Sequence, residues 1–181
     1  QFPAWAYQKY DELLSPLGAL ERTRVGGASH SVEFGYAATH TAPGHAAIFT
    51  GSPPAVSGVY SNESWSADRG IRSIVDDGEH GVFGLQDAFA SPGIIRVDSV
   101  ADALRKFHGD RAKIAGLSFK DRGAVLTSGR NPDLALWYEK KIGRMTSSRY
   151  YGDALPAWAA SCPPRATTGR RPRATVTATT G

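Results

Sequence analysis

Two sets of side chains have types and spacing suited to chemistry. The first is in Thr41-Ala42-Pro43-Gly44-His45-Ala46-Ala47-Ile48-Phe49-Thr50-Gly51, preceded by Thr39-His40. The pattern predicts a loop that turns into a short helix. Pro43 suits the first helical turn, where a missing N–H loses no bond. Thr41 suits the N-cap and Gly51 the stop. A helix N-terminus presents N–H groups and the positive end of the dipole, which favour an anion. A hydroxyl placed there either caps the helix or attacks a phosphoryl group, and the cap is the plainer reading. The second set is Lys120 and Arg122, at the end of the stretch from Lys113 to Ser118, which reads as a buried strand. Two residues apart on a strand, both cations would share one side. Taken alone, such a pair is a solvated surface feature.

The elements that must position these groups read as an α/β chain. Phe2, Trp5, Ala6, Tyr10, Leu13 and Leu14 give a helical apolar stripe, and Leu17 to Thr23 a second short helix closed by Gly26-Gly27. Ser29 to Tyr36 alternates as a strand that delivers the chain to Thr41. Trp65 to Gly70 reads as a hairpin tip and Ile71 to Val75 as its return. Asp76-Asp77-Gly78-Glu79-His80-Gly81 is a polar loop, read as a solvated turn in preference to a metal site. Val97, Val100, Leu104 and Phe107 mark one face of a helix capped by Asp98 or Ser99 and ended by Gly109. A helix feeding the strand at Lys113 to Ser118 is an α/β signal. Gly123 to Leu126 reads as a short helix, Leu134 to Tyr138 and Arg144 to Ser148 as strands, and Leu155 to Ala160 as a helical start.

Composition bounds the rest. At 181 residues, 41% hydrophobic and 21% charged, the chain is long enough for one domain with a sizeable core. No apolar run is long enough to span a membrane. The net charge of +4 resides in the tail, where Arg165, Arg170, Arg171 and Arg173 stand without an acid. Setting those four aside leaves 17 basic residues against 17 acidic ones, so the body is neutral, which speaks against a nucleic-acid binder. Cys162 is the single cysteine and permits no internal disulfide. The Pro/Arg/Thr-rich stretch 161–181 has almost nothing to bury and is expected to be disordered, leaving 1–160 as the domain.

The run Thr41-Ala42-Pro43-Gly44-His45-Ala46, with Phe49-Thr50-Gly51-Ser52-Pro53-Pro54-Ala55-Val56-Ser57-Gly58-Val59 and then Asn62, resembles the nucleophile segment of the alkaline phosphatase superfamily. It is most similar to the branch of phosphate-irrepressible alkaline phosphatases and type I phosphodiesterase/nucleotide pyrophosphatases. Lys120-Asp121-Arg122, 79 residues after Thr41, resembles that family's Lys-x-Arg. Ser128-Gly129-Arg130, Trp137-Tyr138, Thr146 to Tyr151 and Leu155-Pro156-Ala157-Trp158 match its scaffold.

The resemblance implies an alkaline-phosphatase-like α/β fold: a partial, mostly parallel sheet flanked by helices, with a hairpin insertion. It implies hydrolysis of phosphate monoesters through a phospho-threonine on Thr41, which is also a zinc ligand, in a site of two zinc ions. Asn62, 21 residues on, and the cations Lys120 and Arg122 would hold phosphoryl oxygens, and the cation pair favours monoesters over diesters. His40 and His45 are read as packing or hydrogen-bonding residues. The resemblance also implies a small phosphate ester as partner and a periplasmic or secreted location. The family's other zinc ligands have no match here. An Asp expected just before Gln1, and Asp and His expected beyond the end, make a fragment the expectation, with a frame change or assembly error near Ser161. The rival readings are a phosphodiesterase or nucleotide pyrophosphatase on the same fold, and a non-catalytic α/β interaction module with a basic tail.

Overall fold

In the computed structural model the described residues are 9–10, 18–27 and 33–160. The stripe from Phe2 to Leu14 lies almost wholly outside them, as does the tail 161–181. Helix α1 (Ala19–Gly26) is followed by α2 (Thr41–Thr50) and the single turn α3 (Pro54–Ser57). Strands β1 (Glu63–Ser66) and β2 (Gly70–Ser73) form an antiparallel hairpin, pairing Trp65 with Ile71 and Glu63 with Ser73. Helix α4 (Val100–His108), strand β3 (Ala115–Ser118), helix α5 (Asp121–Ser128), strands β4 (Leu134–Glu139) and β5 (Arg144–Thr146) and the turn α6 (Ala157–Ala160) complete the order.

Among the described residues the larger sheet runs β3-β4-β5. β3 and β4 are parallel, with Ala115 beside Leu134 and Ser118 beside Trp137, and α5 makes the crossover between them. β5 returns antiparallel, Trp137 opposite Thr146. The core lies between α2, α5 and this sheet. Ala42 and Ala46 from α2, Ala124, Val125 and Leu126 from α5, and Val59, Val75 and Trp137 are all essentially excluded from water. Trp137 and Leu126 are its largest fully buried side chains, each contributing about 1.5–3 kcal/mol or more by burial. Two glycines let α5 and β3 approach closely. A Cβ on Gly116 would stand 2.6 Å from the Ala124 carbonyl oxygen, and one on Gly123 would stand 2.2 Å from Ser118 Oγ.

The helix ends follow local signals. Gly51 closes α2 with φ 65°, donating its N–H to Ala47 O. Ser99 caps α4 in a reciprocal box with Asp102. Asp102 also accepts the Arg130 N–H at 2.7 Å, and the Arg130 guanidinium reaches Ile95 O at 2.7 Å and Asp98 at 2.9 Å. No helix among the described residues is long and apolar enough to cross a membrane.

Three expectations are corrected. β3 is half-buried and not a buried strand: Gly116 faces the core while Leu117 is 63% exposed. The α4 stripe is not its buried face, since Val100, Leu104 and Phe107 are all exposed and the helix buries Ala101 and Asp102. Residues 33–36 form no strand, and residues 29–32 of that expectation lie outside the described part.

Candidate active site

Helix α2 begins at Thr41, with His40 and not Thr41 in the cap position on extended backbone; the His40 side chain makes no capping bond. The cap comes from elsewhere. Asn62 Oδ1 accepts the Ala42 N–H at 2.8 Å across 20 residues. Since the partner is a donor, the accepting atom is the amide oxygen, and the NH2 group takes no part in this bond. Pro43 has no N–H, and Gly44 donates to His40 O at 3.0 Å. Of the first-turn donors expected to be free, only the Thr41 N–H has no partner among the described residues. The anion site is therefore narrower than a bare helix end. The Thr41 hydroxyl also bonds to no described residue, and its residue is half-buried.

Asn62 owes its position to the hairpin. Its carbonyl accepts the Ile74 N–H at 3.0 Å, which closes the base of β1 and β2 directly after it. His45 donates Nδ1–H to Thr41 O at 2.7 Å. A carbonyl can only accept, so Nδ1 carries the proton, in keeping with the hydrogen-bonding role expected of this residue.

Lys120 and Arg122 do not share the side of a strand. β3 stops at Ser118, Lys120 is the N-cap of α5, and Arg122 is its second helical residue. Lys120 is exposed. The Arg122 side chain is 16% exposed, with Nη1 3.6 Å from Asp121 Oδ1. Its Nε is buried with no hydrogen-bond partner among the described residues. An orphaned buried donor on a permanent cation is costly unless an acceptor arrives. The fold thus bonds Asn62 to the residue after Thr41, and packs the helix that carries Arg122 against the helix that carries Thr41.

Asp121 and Ser73 were passed over in the sequence. Ser73 Oγ donates to Asp121 Oδ2 at 2.5 Å. The one local hint is an acid between two cations.

The loop from Asp76 to Gly81 is organised, not simply solvated. The Asp76 side chain is 6% exposed and pairs with Arg69 at 2.7 Å. Asp77 Oδ1 accepts the Glu79 and His80 N–H groups at 3.0 and 3.1 Å, and Oδ2 meets His80 Nδ1 at 2.5 Å. Burial pushes the Asp77 carboxyl up, but hydrogen bonds from Ser91, the His80 and Glu79 backbone and the His80 ring outweigh it and hold it down at about 2.

Among the described residues no group of three or more His, Cys, Asp or Glu is placed to hold a metal ion. A lone Thr41 hydroxyl does not make a zinc site, so the donors present do not fit the two-zinc expectation by themselves.

No family model matches the chain. It is 34% identical over 133 residues to alkaline phosphatase PhoV of Synechococcus elongatus, covering 68% of this chain and 23% of that protein. It is 31% identical over 157 residues to alkaline phosphatase PafA of Elizabethkingia meningoseptica, covering 84% and 28%. The crystal structure of wild-type PafA matches with a TM-score of 0.76 at 28% identity, over 85% of this chain and 30% of that one. A PafA variant substituted at one threonine, one asparagine, one lysine and one arginine matches with a TM-score of 0.65 at 28% identity, over 71% and 26%. The chain spans about a quarter of the length of these relatives.

Proposed function

The chain belongs to the alkaline phosphatase superfamily, and from that premise we propose that the protein hydrolyses phosphate monoesters with Thr41 as nucleophile. Thr41 Oγ attacks phosphorus and gives up its hydroxyl proton, the ester P–O bond breaks, and the leaving oxygen takes the bonding pair and a proton to depart as the alcohol. Water then cleaves the phospho-threonine, restoring the hydroxyl and releasing inorganic phosphate. Arg122, Lys120 and the Asn62 amide hold the non-bridging oxygens, where charge is spread in the transition state. The carrying observation is the Asn62–Ala42 bond, which brings the Asn62 amide to the residue that follows Thr41. The substituted PafA variant supports the assignment. Its threonine and asparagine are 21 positions apart, as Thr41 and Asn62 are, and its lysine and arginine two apart, as Lys120 and Arg122 are.

Zinc, if it serves this site, takes Thr41 as one ligand and the rest from outside the described residues. A periplasmic or secreted location belongs to the same proposal. The test is a denaturing quench of the full-length protein turning over an aryl phosphate labelled in the phosphoryl group. Label should be recovered on Thr41, and Thr41→Ala should lose both label and turnover. Unchanged turnover in Thr41→Ala, or label on another residue, overturns the assignment.

A further inference from the structure

Asp121 is the first residue of α5, between the two cations assigned to the substrate. A free carboxylate there would repel a phosphate dianion. Its carboxylate instead has one oxygen hydrogen-bonded and the other facing a cation. Oδ2 accepts from Ser73 Oγ at 2.5 Å, and Oδ1 lies 3.6 Å from Arg122 Nη1. The position also suits an acid, since the dipole favours negative charge in the first helical turn.

The consequence falls on Arg122. A guanidinium carries its donors on three nitrogens. Asp121 Oδ1 faces Nη1 at 3.6 Å, an ion pair longer than a hydrogen bond, and Nε is buried with no partner among the described residues. That leaves Nη2, which makes no hydrogen bond to a described residue, as the donor open to an oxyanion. Ser73 adds a second constraint. It sits opposite Glu63 at the base of the hairpin, one residue from Asn62. Its bond to Asp121 joins positions 48 apart, and so ties the segment holding Asn62 to the start of the helix holding Arg122.

We propose that Asp121, anchored by Ser73, is a positioning residue that pairs with Arg122 at Nη1 and leaves Nη2 for the phosphoryl oxygens; this rests on the function proposed above. The test is a double-mutant cycle in the full-length protein with Asp121→Asn, Arg122→Ala and the pair. The readouts are kcat/KM for an aryl phosphate and inhibition by inorganic phosphate. A misplaced contact costs up to roughly 100-fold, so Asp121→Asn should lose about 10- to 100-fold and weaken phosphate inhibition. In the Arg122→Ala background the same change should cost less than about threefold, because the group it positions is gone. Ser73→Ala, which leaves every charge in place, should lose less and should likewise lose its effect without Arg122; it carries the test if Asp121→Asn does not fold. An undiminished loss in the Arg122→Ala background, or no loss on changing Asp121 and Ser73, overturns the positioning role and leaves the proposed function standing. An Arg122→Ala protein with unaltered turnover overturns Arg122's part in the proposed function, and the inference with it.

Discussion

Asn62 accepts the Ala42 N–H at 2.8 Å, so the helix that starts at Thr41 is capped by a side chain 20 residues further along. Under the proposed function one amide has two tasks, holding the helix with its oxygen and the substrate with its nitrogen.

Those tasks separate by substitution. Asn62→Ala should destabilise the fold by about 1 kcal/mol, the usual loss on removing a cap. Asn62→Asp keeps an acceptor for Ala42 and should recover that stability. It also replaces a donor by a negative charge, so turnover of a phosphate monoester should fall at least as far as in Asn62→Ala. Denaturation midpoints and kcat/KM check both. Full activity in Asn62→Asp would reduce Asn62 to a cap.

Lys120 and Arg122 should discriminate between substrate classes. Each alanine substitution in the full-length protein should cost roughly 10²–10³ in rate on monoesters, the scale of one preorganised electrostatic contact. A diester carries one negative charge fewer, so its loss should be smaller. Equal losses on both classes would favour the diesterase reading of the same site.

The contact between β3 and α5 predicts a stability order. Gly116→Ala drives a methyl against the Ala124 carbonyl, which is helix backbone and cannot turn aside, and should cost about 1–3 kcal/mol. Gly123→Ala meets the Ser118 hydroxyl, a side-chain end that can rotate, and gains about 1 kcal/mol of helix propensity. It should be the milder change in urea denaturation.

Asp77 should make stability fall in acid. Its carboxyl is held at about 2 when folded, below the ordinary 3.8, so the folded state favours the ionised form. That contribution is complete above about pH 4 and is lost as pH falls toward about 2, amounting to roughly 1–2 kcal/mol once screening by solvent is allowed for. Unfolding free energy measured from pH 5 to pH 2 should fall less steeply in Asp77→Asn.

Much of the local architecture was legible because its signals are local. Pro43 lies in the first turn of α2 and Gly51 closes it, Ser99 and Gly109 bound α4, and the hairpin turns at 67–69, one residue before the expected Asp68-Arg69-Gly70. Steric limits on proline and glycine, and hydroxyl capping, act within a few residues of chain and do not need the fold. The superfamily was legible too, from the run Thr41 to Val59 and the triplet Lys120-Asp121-Arg122, and the relatives bear the family out.

How those residues are held was not legible. Helical periodicity put Val100, Leu104 and Phe107 on one face but did not say whether anything covers it, and among the described residues it is exposed. A Lys-x-Arg at a strand end implies two cations on one side; the helix starting at Asp121 separates them, leaving Lys120 in solvent and Arg122 half-buried. The Asn62–Ala42 and Ser73–Asp121 bonds span 20 and 48 residues, and no local preference predicts which distant groups will meet. The sequence by itself determined the residue types, the stops of α2 and α4 and the family. Only the tertiary structure decided which donors stay free at Thr41 and Arg122, because that depends on partners brought together by packing α2 against α5 and closing the hairpin beneath Asn62.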